Sequence, residues 1–231
     1  MTPFLSAAKH ALSDDGFLVI NTKANRNPGA RDRWSTRSLV IERLAIHMEK
    51  IGWYCVDIEI WVKSNPVSTG LRAAAQDAYE QILWFSSGPK WSIDIDAIRR
   101  SYSPQTLRTY ATHEYRPRAN GLGYVTKAKR ISPNPKGALP VNVVGNVVTG
   151  SVRAGQGQHQ ARQPIYLPNR YILACTQPGE VVVDPWTGSG TTGMAALSAN
   201  RRFVGFDVDE TSVAIATNVC KACSANSTKV D

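Results

Sequence analysis

One stretch, VVVDPWTGSGTTGMAALSANRRFVGFDVD at residues 181–209, limits the possible folds more than any other part of the chain. A β-branched run ends in Asp184, and a turn holding Gly188 and Gly190 leads into an alanine-rich segment. A second apolar run follows and ends at another acid, Asp207. This is the strand, turn, helix, strand order of a parallel βαβ unit. The two glycines permit backbone conformations closed to residues with a Cβ, and they let a ligand approach the main chain. Ser189, Thr191 and Thr192 are candidate caps for the helix, whose N-terminus suits an anionic group. Asp207 stands where a carboxylate can accept hydrogen bonds from ribose hydroxyls.

A phosphate-loop nucleotide site requires a lysine after the last glycine, and none follows Gly190. Gly188, Gly190 and Gly193 do have the G-x-G-x-x-G spacing of a dinucleotide site, so spacing alone leaves a nicotinamide-dependent oxidoreductase open. Asp184 argues the other way, because a carboxylate beside the turn repels a pyrophosphate and can accept from an ammonium group.

The rest of the chain alternates strand-like and helix-like segments. Residues 4–12 predict the end of an amphipathic helix, stopped at Asp14-Asp15-Gly16, and residues 17–23 a buried strand. Residues 36–52 predict a helix whose apolar positions Leu39, Val40, Leu44, Ile46 and Met48 pack on a sheet. Residues 55–63 and 78–86 read as strands, the second following too closely for a crossover and therefore antiparallel. Helices are predicted at 165–174, 191–199 and 210–223, with strands at 179–184 and 201–208. Residues 88–157, rich in Tyr, Arg, Asn, Pro and Gly, read as an irregular insertion. At 231 residues the chain accommodates one large α/β domain carrying such an insertion.

Charge separates the same region. Between residues 89 and 170 stand thirteen Lys and Arg against three acids, whereas the whole chain carries +9. The excess interleaves with Trp91, Tyr102, Tyr110, Tyr115 and Tyr124, a composition suited to phosphates and bases. Arg99, Arg100, Arg116, Arg118, Lys127, Lys129 and Arg130 are the candidate nucleic-acid contacts. Cys220 and Cys223 have C-x-x-C spacing without a second ligand pair, so no metal site is expected, and they read as reduced thiols on a fraying terminal helix. With no apolar run long enough to span a bilayer and no signal-like N-terminus, the expectation is a cytoplasmic protein without membrane attachment.

DPWTGSGTTGMAAL followed by RRFVGFDVD resembles the S-adenosyl-L-methionine (AdoMet) motif of β-type, permuted DNA amino-methyltransferases, which methylate adenine N6 or cytosine N4. HQARQPIYLPNRYILACTQPGE, IEIWVKSNPVSTGLRAAAQDAYEQILWFS, KWSIDIDAIRR and LSDDGFLVINTK resemble further elements of that family, in its order. The resemblance implies a Rossmann-like AdoMet-dependent methyltransferase fold, circularly permuted, with a mostly parallel sheet and one antiparallel strand. It implies AdoMet contacts at Asp184, Pro185, Trp186, Gly188, Ser189, Gly190, Thr191, Thr192 and Asp207, with His159, Pro164 and Asn21 around the same pocket. It divides the chain into the C-terminal part of a catalytic subdomain (1–88), a target-recognition insertion (89–157) and an AdoMet-binding subdomain (158–231). Double-stranded DNA is the implied partner. Ala73 and Ala74 depart from the charged pair that similar relatives carry, and Tyr79 replaces a histidine.

The family's catalytic tetrapeptide, [DNS]-P-P-[YFW], is absent: none of the 13 prolines is followed by another. In the family that motif ends a central strand lying between those of residues 181–183 and 17–21. The expectation is therefore a site-specific DNA methyltransferase that is truncated or split, with a second polypeptide supplying the strand. The alternative is a non-catalytic AdoMet- and DNA-binding subunit or remnant.

Overall fold

The computed structural model describes residues 2–24, 37–63, 77–112, 133–147 and 163–227. In chain order the elements are α1 (Thr2–Ala11), β1 (Phe17–Thr22), α2 (Val40–Lys50), β2 (Tyr54–Lys63), β3 (Tyr79–Ser86), α3 (Pro104–Thr112), β4 (Val143–Val147), α4 (Tyr166–Cys175), β5 (Val181–Asp184), α5 (Thr191–Ser198), β6 (Arg202–Gly205) and α6 (Glu210–Ser227). They fall into two compact units, Met1–Ile93 with Val141–Asp231, and Asp94–Pro140.

In the larger unit, four strands pair in the order β1-β3-β2-β4 and two more pair as β5-β6. β3 runs antiparallel to both neighbours, which matches the expectation for residues 78–86, while β2 with β4 and β5 with β6 are parallel. The result is an α/β fold with mixed strand directions. Among the described residues β1 pairs only with β3, and β5 only with β6.

Strand periodicity assigns the faces. Leu18 and Ile20 of β1 stand opposite Phe85 and Leu83 of β3, and this face is covered by Leu5 of α1 and by Ile41 and Met48 of α2, with Trp53. The opposite face carries Glu59 and Trp61 of β2 and Trp84 of β3, and α4 lies against it, with Tyr171 edge-on to Trp84 at 5.4 Å. Around β5 and β6 one face is closed among the described residues, where Val182 and Phe203 meet Ile172 of α4 and Ala195 and Ala196 of α5.

Three readings of the sequence change. In α2 the buried stripe is Ile41, Leu44, Ala45 and Met48, whereas Leu39, Val40 and Ile46 face solvent. Spacing by three and four residues keeps the first set on one side of the helix and turns the others away. The region expected to be irregular contains α3, started by Ser103, whose hydroxyl accepts from the Thr106 amide, with Pro104 in the first turn. It also contains β4, where Gly145 and Asn146 interrupt the apolar run that would have signalled a strand. Finally, the C-x-x-C pair sits inside α6, with Cys223 beside Ser198 of α5, so this helix is docked there rather than frayed.

A buried ion pair fastens α4 to β2. Glu59, 2% exposed, accepts from Arg170 at 2.9 and 3.1 Å and from the Tyr171 hydroxyl at 2.7 Å. Arg170 also donates to the Val141 carbonyl. Burial and the adjacent carboxylate both push the Tyr171 hydroxyl far above its ordinary value, so it stays protonated as a donor. Burial likewise pushes the neighbouring Cys175 thiol up to about 12, which keeps it unreactive. Arg170→Ala leaves the Glu59 charge buried and is expected to cost ~3–5 kcal/mol of stability. Tyr171→Phe is expected to cost ~1–3 kcal/mol. Urea denaturation of each variant measures both.

Candidate functional site

The loop from β5 into α5 is held by two acids, one at each of its strand ends. The Asp184 carboxylate accepts from the Trp186 amide at 3.0 Å. Asp207, just beyond β6, accepts from the Gly188 amide at 2.9 Å and from the Asp209 amide at 3.0 Å. Asp209 in turn caps α6, accepting from the Ser212 amide and hydroxyl at 3.0 and 2.7 Å. Two backbone bonds extend the β5–β6 pairing into the turn: Phe206 donates to the Asp184 carbonyl, and Thr187 to the Phe206 carbonyl. Hydrogen bonds from the Asp209 and Gly188 amides hold the Asp207 carboxyl below its ordinary range. The Ser212 hydroxyl and amide do the same for Asp209.

This geometry decides the chemistry the turn accepts. A pyrophosphate needs free amides in the glycine turn, but Gly188 has given its N–H to Asp207 and Gly190 has given its own to the Thr187 carbonyl. Two carboxylates, those of Asp184 and Asp207, bind amides of the same short loop. The loop therefore favours a ligand bearing positive charge and hydroxyl donors over one bearing phosphate.

The glycines divide their work. Gly188 (φ +50°) and Gly190 (φ +81°) both take left-handed conformations. Space around Gly188 is open, whereas a Cβ at Gly190 would lie 2.9 Å from the Ala216 Cα of α6. A Cβ at Gly193 would strike Cys220 and Phe203 at 2.6 Å. So Gly190 and Gly193 let α5 and α6 close on each other, and the expected freedom for ligand approach applies to Gly188. The expected caps are also corrected: Gly190 itself is the N-cap of α5, with no side-chain cap bond, and the Ser189 and Thr191 hydroxyls face each other at 3.4 Å.

The other candidates are dispersed. Pro185 follows Asp184, and Trp186 lies mostly in solvent with its ring 4.8 Å from that of Phe4 in α1. Thr192 lies in the first turn of α5. Pro164 precedes α4, where its carbonyl accepts from Leu167. Asn21 is exposed near the end of β1, on the same sheet face as Ile82 and Trp84. Thr187 and Asp209 escaped sequence reading. The Thr187 side chain is buried beneath the turn beside Gly205, and only the fold brings them together. Asp209 had a signal, an acid three residues ahead of Ser212 at a helix start.

Of the candidate nucleic-acid contacts, Arg99 and Arg100 are described. Arg99 donates to Asp96 at 2.6 Å and to the Gly137 carbonyl at 2.8 Å, and Arg100 reaches the Leu139 carbonyl at 3.2 Å. Lys136 and Arg99 together hold the Asp96 carboxyl below its ordinary range. These bonds shape the smaller unit. Arg116, Arg118, Lys127, Lys129, Arg130 and His159 lie outside the described residues.

Comparison with known proteins gives a consistent answer. The family described as DNA methylase, of the N6/N4 type, matches residues 1–218. A Type II methyltransferase of Citrobacter freundii, M.Cfr9I, is 26% identical over 248 residues, which cover 94% of this chain and 71% of that protein. Among solved structures, the cytosine-N4-specific PvuII DNA methyltransferase superposes with a TM-score of 0.65 at 21% identity, over 97% of this chain and 76% of that one. A putative DNA modification methylase of Thermus thermophilus, solved in complex with S-adenosyl-L-methionine, gives 0.59 at 18% identity over 96% and 78%. At these identities the superpositions establish the fold.

Two expected outcomes test the turn. Gly190→Ala combines a strained φ with a backbone clash and should cost ~2–5 kcal/mol, whereas Gly188→Ala should cost ~1–2 kcal/mol, as thermal denaturation would record. Because the folded-state value of Asp207 is lowered, its contribution is complete above the ordinary carboxylate range and is lost as pH falls through the lowered value. Asp207→Asn should therefore flatten the acid limb of melting temperature against pH and leave the neutral limb unchanged in slope.

Proposed function

Because the chain belongs to the N6/N4 DNA methylase family, we propose that it is an AdoMet-dependent, site-specific DNA methyltransferase acting on an exocyclic amine, adenine N6 or cytosine N4. The observation that carries this reading is the Gly188 amide turned onto Asp207 within an acid-lined loop. That arrangement suits the ammonium, sulfonium and ribose hydroxyls of AdoMet and disfavours a nicotinamide dinucleotide. Asp184, Pro185, Trp186, Gly188, Ser189, Gly190, Thr191 and Thr192 would hold its methionine end and Asp207 its ribose, with Asn21, His159 and Pro164 around the pocket. AdoMet supplies an activated methyl group when bound. The protein's part is to orient it and to exclude water from it. Residues 89–157 would grip DNA through their cations, between a catalytic subdomain at 1–88 and an AdoMet subdomain at 158–231, in the permuted, β-type order.

Catalysis also needs acceptors for the target amine and a ring to stack on the extruded base. The tetrapeptide that does this in the family does not occur in these 231 residues. We therefore place it on polypeptide outside them, on a strand entering between β1 and β5. Two features support this: β1 and β5 each pair on one side among the described residues, and Val181, Val183, Val204 and Phe206 on the open face of β5-β6 are 42–57% exposed. A second reading, a non-catalytic AdoMet- and DNA-binding subunit, is favoured by the same missing tetrapeptide.

Calorimetry should record binding of AdoMet and none of NAD. Asp207→Ala should weaken AdoMet at least roughly tenfold, the scale of a lost charge-assisted hydrogen bond. NAD binding without AdoMet binding would overturn the assignment. Transfer of tritiated methyl groups to DNA, by this chain alone and together with the polypeptide encoded immediately upstream, then separates the two readings. Activity appearing only in the mixture establishes a split enzyme. None in either supports the binding subunit.

A further inference from the structure

Trp186 is 68% exposed, the most exposed aromatic ring among the described residues, whereas Trp53, Trp61 and Trp84 are buried. The ring is nonetheless fixed. The Trp186 amide donates to the Asp184 carboxylate at 3.0 Å, and the indole packs 4.8 Å from the ring of Phe4, tilted by 55°. Phe4 is itself packed on the core cluster that contains Leu5, Ile41 and Trp53. One side of the indole is therefore anchored and the rest stands in solvent, so little side-chain entropy remains to be lost when a ligand meets it.

Its place on the corner narrows what that ligand is. Asp207 lies beyond β6, whereas Trp186 reaches from the end of β5 to α1, the helix that helps cover β1 and β3. β1 and β5 are the strands that pair on one side among the described residues. With the ribose assigned to Asp207 and the methionine end to Asp184, the adenine bonded to that ribose belongs on the β6 side, and Trp186 borders the methionine end. A base that receives the methyl group must approach that same end in its extruded form, and extruded bases are held by stacking on aromatic or apolar faces.

We propose that Trp186 is a base-stacking residue, whose exposed indole receives one face of the extruded target base. This inference rests on the methyltransferase reading above and adds to it a substrate contact carried by this chain itself. A base has two faces. The ring of the outside tetrapeptide would take one and Trp186 the other, which leaves the base edge and its amine free to meet the methyl donor. Adenine and cytosine both present a π face, so Trp186 contributes affinity and orientation and does not choose between them.

The probe is a short single strand of abasic sites with one central 2-aminopurine, compared with the same strand wholly abasic, each titrated into the full chain. The phosphates are identical, so the ratio of the two affinities isolates the contribution of one base. Wild type should prefer the 2-aminopurine strand at least roughly fivefold, the scale of one base stacked on a ring, and should quench its fluorescence on binding. Trp186→Ala should bind the wholly abasic strand as wild type does, while the preference falls to about one and the probe stays bright. Trp186→Leu, which keeps an apolar contact with Phe4, should do the same, whereas Trp186→Phe keeps a ring and should retain most of the preference. An unchanged preference in Trp186→Leu, or a loss of affinity for both strands together, overturns the assignment. A wild type that binds AdoMet yet shows no preference for the base overturns it too and leaves the methyltransferase reading intact. A wild type that binds neither strand nor AdoMet overturns both.

Discussion

One carboxylate, that of Asp207, organises the region on which every functional statement depends. It lies just past the end of β6, yet it reaches back to take the amide of Gly188 in the loop after β5. This crossing bond, with the backbone pairings of Thr187 and Phe206, fuses two strand ends and one helix start into a single rigid corner. It also consumes a donor that a phosphate would otherwise claim. Under the proposed reading, ligand class follows from where an internal acid points rather than from glycine spacing.

The corner is supported from behind. Gly190 and Gly193 lack side chains because α6 and β6 come within van der Waals distance of them, so the same short residues that shape the loop allow α5 and α6 to close. Across the larger unit the Glu59–Arg170–Tyr171 cluster holds α4 on the four-stranded sheet, and α4 leads directly into β5. Buried charge of this kind is a demanding way to fix one helix, since it tolerates only the arrangement in which every partner is met. The position of the corner relative to β2 follows from it.

The two units divide labour by charge. Acids line the loop at the end of β5, while the smaller unit holds most of the positive excess and spends two cations, Arg99 and Lys136, on Asp96 within its own architecture. Counting basic residues along the chain therefore overstates how many are available to a partner. Arg99 is the clear instance: its sequence neighbourhood reads as a nucleic-acid contact, but its guanidinium is engaged by Asp96 and the Gly137 carbonyl.

By itself the sequence determined the element types where periodicity is strong, the antiparallel sense of residues 78–86, and the loop between two acids, because strand alternation, short connections and glycine punctuation are local properties. It also located the charge excess. It did not reveal the phase of α2, where Leu39, Val40 and Ile46 look as apolar as the buried Ile41 and Met48, nor the helix and strand hidden in the Pro- and Gly-rich region. Only the tertiary structure showed that Gly190 answers to Ala216, that Thr187 lies beneath the loop, and that Glu59 meets Arg170. Each of these joins residues distant in sequence, and burial and partner choice are decided by the packing of such pairs, which no local pattern encodes.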